Sequence, residues 1–176
     1  VNAFLDALYR RYPFAPLVAE DLGTITPDVT ECMHQYGLPG MRVLQFAFDA
    51  TPDKGPHYPH NIPAHSVAYT GTHDNNTSRG WFEEDATAAQ RKRLCRYAGR
   101  TLSGKQAAWE MMRLVMGSPA ELAIVPLQDV LGLGSGARMN RPARKTRNWR
   151  WRMRRRACTP HVAERLGELT ATYGPA

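Results

Sequence analysis

A chain of 176 residues, 43% hydrophobic and 22% charged, has the size and composition of one globular domain, and no apolar run in it approaches the roughly 20 residues that cross a bilayer. The net charge of +7 is local: ten of the 23 Lys and Arg lie between Arg138 and Arg156, a stretch without Asp or Glu, leaving 13 basic residues against 16 acidic ones elsewhere. The sum therefore does not by itself argue for a nucleic-acid partner, and the widely spaced Cys32, Cys95 and Cys158 form neither a CxxC pair nor a zinc-spaced cluster.

The first residues read as a helix, VNAFLDALYRRY, with Phe4, Leu5 and Leu8 on one face, and lack the long apolar middle of a signal peptide. A cytoplasmic location is the default expectation. The start at Val1, inside a helical pattern, suggests a missing N-terminal part. After a turn bracketed by Pro13 and Pro16, residues 17–19 read as a first strand ending on Glu20 and Asp21. Gly23 turns the chain, and Thr26 with Pro27 opens a helix that runs to about Tyr36 and is capped by Gly37. GLPG then leads into a second strand, residues 41–48, rich in β-formers and closing on Asp49. Residues 51–66, with four prolines and three histidines, form a loop long enough to suggest a function.

The third strand, residues 66–69, ends at Gly71. Thr72, His73, Asp74, Asn75 and Asn76 follow, a run of hydrogen-bonding side chains just past an apolar strand. Trp81 and Phe82 precede a basic helix starting at Asp85 or Thr87 and ending near Gly99, and a second helix covers residues 103–116 with Trp109, Met112 and Val115 on one side. Residues 121–127, with four consecutive apolar positions, read as a fourth strand buried on both faces, followed by Gln128, Asp129 and the glycine-rich residues 131–136. Beyond the basic run, Thr159 and Pro160 open a last helix to about residue 172. Four βα units imply a parallel sheet, either open and doubly wound or an arc of a barrel. A complete (β/α)8 barrel needs about 250 residues, so this chain would supply only half of one.

Glu20, Asp49 and Asp74 each follow a predicted strand, with Asp129 close behind the fourth, so all would face one mouth. Converging carboxylates without His or Cys ligands suit glycoside chemistry, in which one acid protonates the leaving oxygen and another stabilises the oxocarbenium-like centre. The alternative is magnesium held around phosphates, although no GxxxxGK[ST] or GxGxxG motif is present to bind them. Each acid also has a plainer reading. Asp49 and Asp129, taken alone, fit helix caps or solvated loop residues, and Asp21 beside Glu20 fits a capping partner. Trp81 and Phe82 suit sugar stacking or, more simply, a core.

The blocks PLVAEDLGTITPDV, GLPGMRVLQFAFD, YTGTHDNNT and ELAIVPLQDVLGLGSGARMN, followed by NWRWRM, resemble successive segments of the 4-α-glucanotransferases, the amylomaltase or disproportionating-enzyme family. Order, spacing and identity agree over nearly the whole chain. The resemblance implies the second half, about strands five to eight, of a (β/α)8 TIM barrel of the α-amylase type. Residues 1–176 would then be the C-terminal part of a single catalytic domain whose N-terminal half is absent. It implies a retaining transfer of α-1,4-glucan segments from maltooligosaccharide or starch- and glycogen-type donors to glucose or oligosaccharide acceptors. No metal, cofactor, nucleic acid or membrane is implied.

By the same resemblance Glu20 is the general acid/base, Asp74 grips sugar hydroxyls and stabilises the transition state, and His73, Asp49 and Phe46 contact substrate, with Asn140 on the rim. The family's nucleophile is an Asp after the fourth strand in an Arg-x-Asp-His setting that no Asp of this sequence has, so the chain alone is expected to be inactive. A second departure lies in the tail, where Pro142-Ala143 and Arg147-Asn148 replace a Pro-Gly turn and a glycine before NWxWR. Two other readings stand beside this one: a debranching-type retaining α-glucan enzyme, and a basic nucleic-acid module built on RPARKTRNWRWRMRRR, in which Trp149 and Trp151 would stack bases.

Overall fold

The computed structural model of the protein describes residues 2–49 and 55–174. The expected helix start at Val1 and the first part of the proline-rich loop lie outside the described residues. The elements in chain order are α1 (Asn2–Arg11), α2 (Pro27–Gln35), β1 (Gly40–Val43), α3 (Leu44–Ala47), β2 (Ser66–Tyr69) and α4 (Ser78–Gly80). A π-helical turn (Trp81–Asp85) then leads to α5 (Ala88–Tyr97), α6 (Gly104–Met116), β3 (Leu122–Ile124), α7 (Leu127–Val130) and α8 (Pro160–Tyr173). The three strands form a parallel sheet in the order β1-β2-β3, with Met41 opposite Val67 and Val67 opposite Leu122.

Parallel strands need crossovers, and the β2-to-β3 crossover carries α5 and α6, each started by a reciprocal capping box: Thr87 with Gln90, and Ser103 with Gln106. One stripe of α6, including Ala107, Met111 and Val115, is fully buried and packs with Phe48, Tyr58, Trp81 and Leu94 into the core behind the sheet. Glu110 sits on this helix with only 3% of its side chain exposed, paired to Arg100 at 2.9 Å and to Arg113. The far side of α6 carries α8, whose Arg165 guanidinium lies 3.8 Å from the centroid of Trp109. Among the described residues no helix is long and apolar enough to cross a membrane.

Three strand expectations are corrected. Residues 17–19 are extended but not a strand, because the segment makes a single ladder-type bond, Ala19 N–H to Pro39 O at 2.9 Å. The second strand stops at Val43 instead of residue 48, and the chain coils into α3. Leu44, Ala47 and Phe48 lie at i, i+3 and i+4, so a helical turn buries all three on the core side, where a strand would have sent Leu44 and Ala47 to opposite faces. The fourth strand is reduced to three residues at the edge of the sheet, and it is not buried on both faces: Leu122 is 50% and Ile124 40% exposed.

Candidate active site

The site grows from the end of β2. Thr70 is fully buried and donates its hydroxyl to Asp129 Oδ2 at 2.7 Å. Eight residues on, the Ser78 N–H donates to Asp129 Oδ1 and the Ser78 hydroxyl to Oδ2, both at 2.7 Å. One buried carboxylate thus fixes both ends of the loop that holds His73 and Asp74. Burial pushes the Asp129 carboxyl above its ordinary range, opposed by the bonds from Ser78 and Thr70. Asp129 therefore does not face a common mouth with the other acids; it is a structural tie.

Inside that loop, Asn75 Oδ1 accepts from both the N–H and the hydroxyl of Thr72, each at 2.9 Å. This Asn-centred turn sends His73 and Asp74 outward, with their side chains 57% and 48% exposed and His73 Nε2 3.4 Å from Asp74 Oδ1. Asn76 turns the opposite way and is buried, its Nδ2 donating to Asp85 Oδ2 at 3.0 Å and to Ser135 Oγ at 2.9 Å. Its carbonyl accepts from Gln45 Nε2 at 2.8 Å, which joins α3 to the loop. Gly71 is required by that joint, since a Cβ there would stand 2.7 Å from Gln45 Nε2.

Glu20 reaches the site by a different device. Its neighbour Asp21 accepts from Met41 N–H at 2.6 Å and from Arg42 at 2.8 Å, and a Cβ on Gly40 would overlap its carboxylate. Asp21 is the structural acid of the pair, which leaves Glu20 exposed, with one bond, from Leu22 N–H to Oε1 at 2.7 Å. Phe46 presents its ring from α3, edge-on to His57 at 5.6 Å between centroids. His57 Nδ1 accepts the Val43 N–H at 3.2 Å, and burial, then Arg42, holds its pKa below the usual imidazole range.

These side chains share one open cavity of about 940 Å³ at the carboxyl edge of the sheet, lined among others by Glu20, Phe46, Tyr69, His73, Asp74 and Trp149. Two of the expected site residues stand apart from its walls. Asn140 acts on Asp74, with Nδ2 donating to Oδ1 at 2.5 Å and its backbone N–H donating to His73 O at 3.1 Å. Asp49 follows α3 instead of a strand end, and its Oδ1 accepts from the Gln90 side chain, away from the cavity lining. Among the described residues no group of three or more His, Cys, Asp or Glu is placed to hold a metal ion.

Sequence reasoning missed Gln45, Arg138 and the rim position of Trp149. Trp149 donates its N–H to Met139 O at 2.7 Å, and its ring lies 5.1 Å from that of His73. The fragment ARMN, adjoining the 131–136 loop, was the available signal for Arg138 and Asn140; nothing local marks Gln45. The basic segment is a set of turns over the rim, closed by Asn148 bonds to Arg141 and Arg144. Ala143 and Arg147 adopt left-handed φ of 65° and 66°, at the positions where the resemblance expects glycine.

A sequence profile described as 4-alpha-glucanotransferase matches residues 1–159. The chain is 48% identical over 157 residues to the 4-alpha-glucanotransferase of Thermus thermophilus, which covers 86% of this chain and 31% of that protein. It is 40% identical over 177 residues to the chloroplastic/amyloplastic 4-alpha-glucanotransferase of Arabidopsis thaliana, 98% of this chain and 30% of that one. Its fold superposes on an amylomaltase from Streptococcus agalactiae solved in complex with acarbose, with a TM-score of 0.90, 30% identity, and coverage of 98% of this chain and 34% of that one. The chain thus spans about 30% of the length of the curated relatives it matches.

Proposed function

The chain belongs to the 4-alpha-glucanotransferase family, and on that premise we propose that it forms part of an enzyme that moves α-1,4-glucan segments between maltooligosaccharides. The observation that carries the reading is the gathering of Glu20, Phe46, His73 and Asp74 around one open cavity at the carboxyl edge of a parallel sheet, where such chemistry collects. The proposal sets residues 17–19, although not paired as a strand here, in the place of strand five and takes β1, β2 and β3 as strands six to eight of a (β/α)8 catalytic barrel, with residues 1–176 its C-terminal part. Donors are starch- or glycogen-type glucans and maltooligosaccharides, and acceptors are glucose or oligosaccharides. The free thiols of Cys32, Cys95 and Cys158 suit a reducing compartment such as the cytoplasm.

In the proposed reaction Glu20 gives its proton to the glycosidic oxygen as the bond to the anomeric carbon breaks and a nucleophilic carboxylate bonds to that carbon. The incoming sugar hydroxyl then loses its proton to Glu20 as it displaces the carboxylate, so the α-configuration is retained. Asp74 accepts from sugar hydroxyls and offsets the positive charge that develops at the anomeric carbon. His73 contacts the same sugar, Phe46 offers an apolar face to a ring, and Asp49 binds further along the glucan. Glu20 accepts a bond from Leu22 N–H, whereas Asp21 is committed to Met41 and Arg42 of β1, which supports Glu20 as the proton carrier of the pair. The nucleophile is proposed to lie upstream of this chain in the full enzyme.

The test replaces the matching portion of the Thermus thermophilus relative with this chain and follows maltotriose. Glucose together with longer maltooligosaccharides is the expected outcome. Action confined to branched glucans would turn the reading toward a debranching enzyme, and no turnover of any α-glucan would overturn it.

A further inference from the structure

The catalytic reading gives Arg138 no role, yet its guanidinium meets three groups around the site. Nη2 donates to the Asp74 carbonyl at 2.6 Å, Nε donates to the Asn140 carbonyl at 2.8 Å, and Nη1 lies 3.7 Å from Asp85 Oδ2. The Arg138 side chain is 16% exposed, although Asp85 on the other side of the ion pair is 44% exposed. Asp85 Oδ2 also accepts from Asn76, two residues beyond Asp74. Asp74 is therefore held at two points, the Asn140 amide on its carboxylate Oδ1 and Arg138 on its backbone carbonyl, with the Asn76–Asp85 bond two residues on.

We propose that Arg138 is a positioning residue for sugar binding at Asp74, locking the Asp74 loop to the Asn140 loop so that the carboxylate and the amide that orients it keep one relative geometry. The proposal rests on the reading of Asp74 as the group that grips the sugar. Shape matters here as well as charge. Two backbone carbonyls on different loops and a carboxylate are met by three nitrogens of one rigid plane, which a lysine ammonium cannot match from a single point. With the plane gone, the ties that remain here among the described residues are the Asn140 side-chain bond to Asp74, the Asn140 N–H bond to His73 O and the ring contact of His73 with Trp149. A displacement of about 1 Å in a group that holds the reacting sugar lowers turnover by about a hundredfold.

The test uses Arg138→Lys and Arg138→Ala, first in the chain itself and then in the chimera. In the chain, hydrogen exchange at the Asn140 amide, which donates to His73 O, is expected to speed up about tenfold or more in both variants, while the melting temperature and the exchange of α6 amides stay unchanged. In the chimera, kcat on maltotriose is expected to fall about ten- to a hundredfold with little change in KM, and added guanidinium is expected to restore a substantial part of it to Arg138→Ala but not to Arg138→Lys. Unaltered Asn140 exchange, or a kcat within twofold of the parent, overturns the positioning role. Asp74→Asn separates the two claims: if it abolishes activity while Arg138→Ala does not, the catalytic reading stands and this inference falls. If Asp74→Asn is fully active, the reading beneath it falls.

Discussion

Asp129 allows a sharp test of how the loop is held. In Asp129→Ala the Ser78 N–H, the Ser78 hydroxyl and the Thr70 hydroxyl lose their acceptor at a site with 1% exposure. The two hydroxyls can rotate toward other partners, but the N–H cannot, and an orphaned buried donor costs about 1–3 kcal/mol. With the emptied space added, the expected loss is about 2–4 kcal/mol. Asp129→Asn keeps an oxygen for the Ser78 N–H and turns an NH2 toward two hydroxyls able to accept, so its cost should stay within about 1 kcal/mol. A gap of about 2 kcal/mol between the variants corresponds to roughly 4–8 °C in melting temperature for a chain of this size.

The pH dependence adds a sign. A carboxyl whose folded-state pKa is raised above its ordinary 3.8 holds its proton more tightly when folded. Its contribution to stability is fully present below that ordinary value and is lost as pH climbs through the raised one. Wild type should therefore lose ground relative to Asp129→Asn across that window. Thermal unfolding followed by circular dichroism against pH checks both points. An Asp129→Ala variant within 1 kcal/mol of wild type, or an asparagine variant as damaged as the alanine one, would refute the reasoning.

Glu110 should show the opposite sign. Burial pushes its carboxyl up, but bonds from Arg113 and Arg100 outweigh burial and hold it below its ordinary 4.5, so its contribution is present above that value and lost as pH falls through the lowered one. Glu110→Gln should cost about 1–2 kcal/mol near neutral pH, a modest figure because both arginines are partly exposed, and urea titrations at two pH values should find the cost shrinking in acid. Gly40→Ala drives a Cβ into the Asp21 carboxylate, so it should break the bonds from Met41 and Arg42, cost about 1–3 kcal/mol and displace Glu20; equal thermal stability would show that Asp21 yields freely. Ala143→Gly and Arg147→Gly relieve left-handed backbone at exposed positions and should each raise stability by up to about 1 kcal/mol, net of the flexibility that glycine adds to the unfolded chain, while a loss of stability in either would contradict the strain assigned to these turns.

Legibility in the sequence follows from how local each determinant is. The helix starts near Thr87 and Ser103, the breaks at Gly37 and Gly99, and the polar loop after β2 depend on neighbours a few residues away, and pattern reading finds them. The extent of β1 does not. Gln45 is turned inward by a bond to Asn76, 31 residues on, and the core takes Leu44, Ala47 and Phe48 from one helical face although Val43, Phe46 and Phe48 in the same run favour strands. Asp74 and Asp129 both follow predicted strands; the polar run from His73 to Asn76 marks Asp74 as a site residue, but nothing next to Asp129 marks it as a buried tie. What separates them is Thr70 and Ser78, which converge on Asp129 and leave Asp74 at the cavity. Leu122 and Ile124 read as buried because four apolar residues run together, while their exposure depends on which strands lie beyond the edge.

The role of Glu20 as proton carrier is tested most directly by Glu20→Gln in the chimera, assayed on two donors. Maltotriose needs its leaving oxygen protonated, whereas α-maltosyl fluoride carries a leaving group that departs without a proton. The account predicts a loss of about 10²–10⁴-fold in turnover of maltotriose with Glu20→Gln and a far smaller loss of fluoride release, while Asp74→Asn loses activity on both donors. Equal losses on the two donors for Glu20→Gln, or full activity on maltotriose, would contradict it.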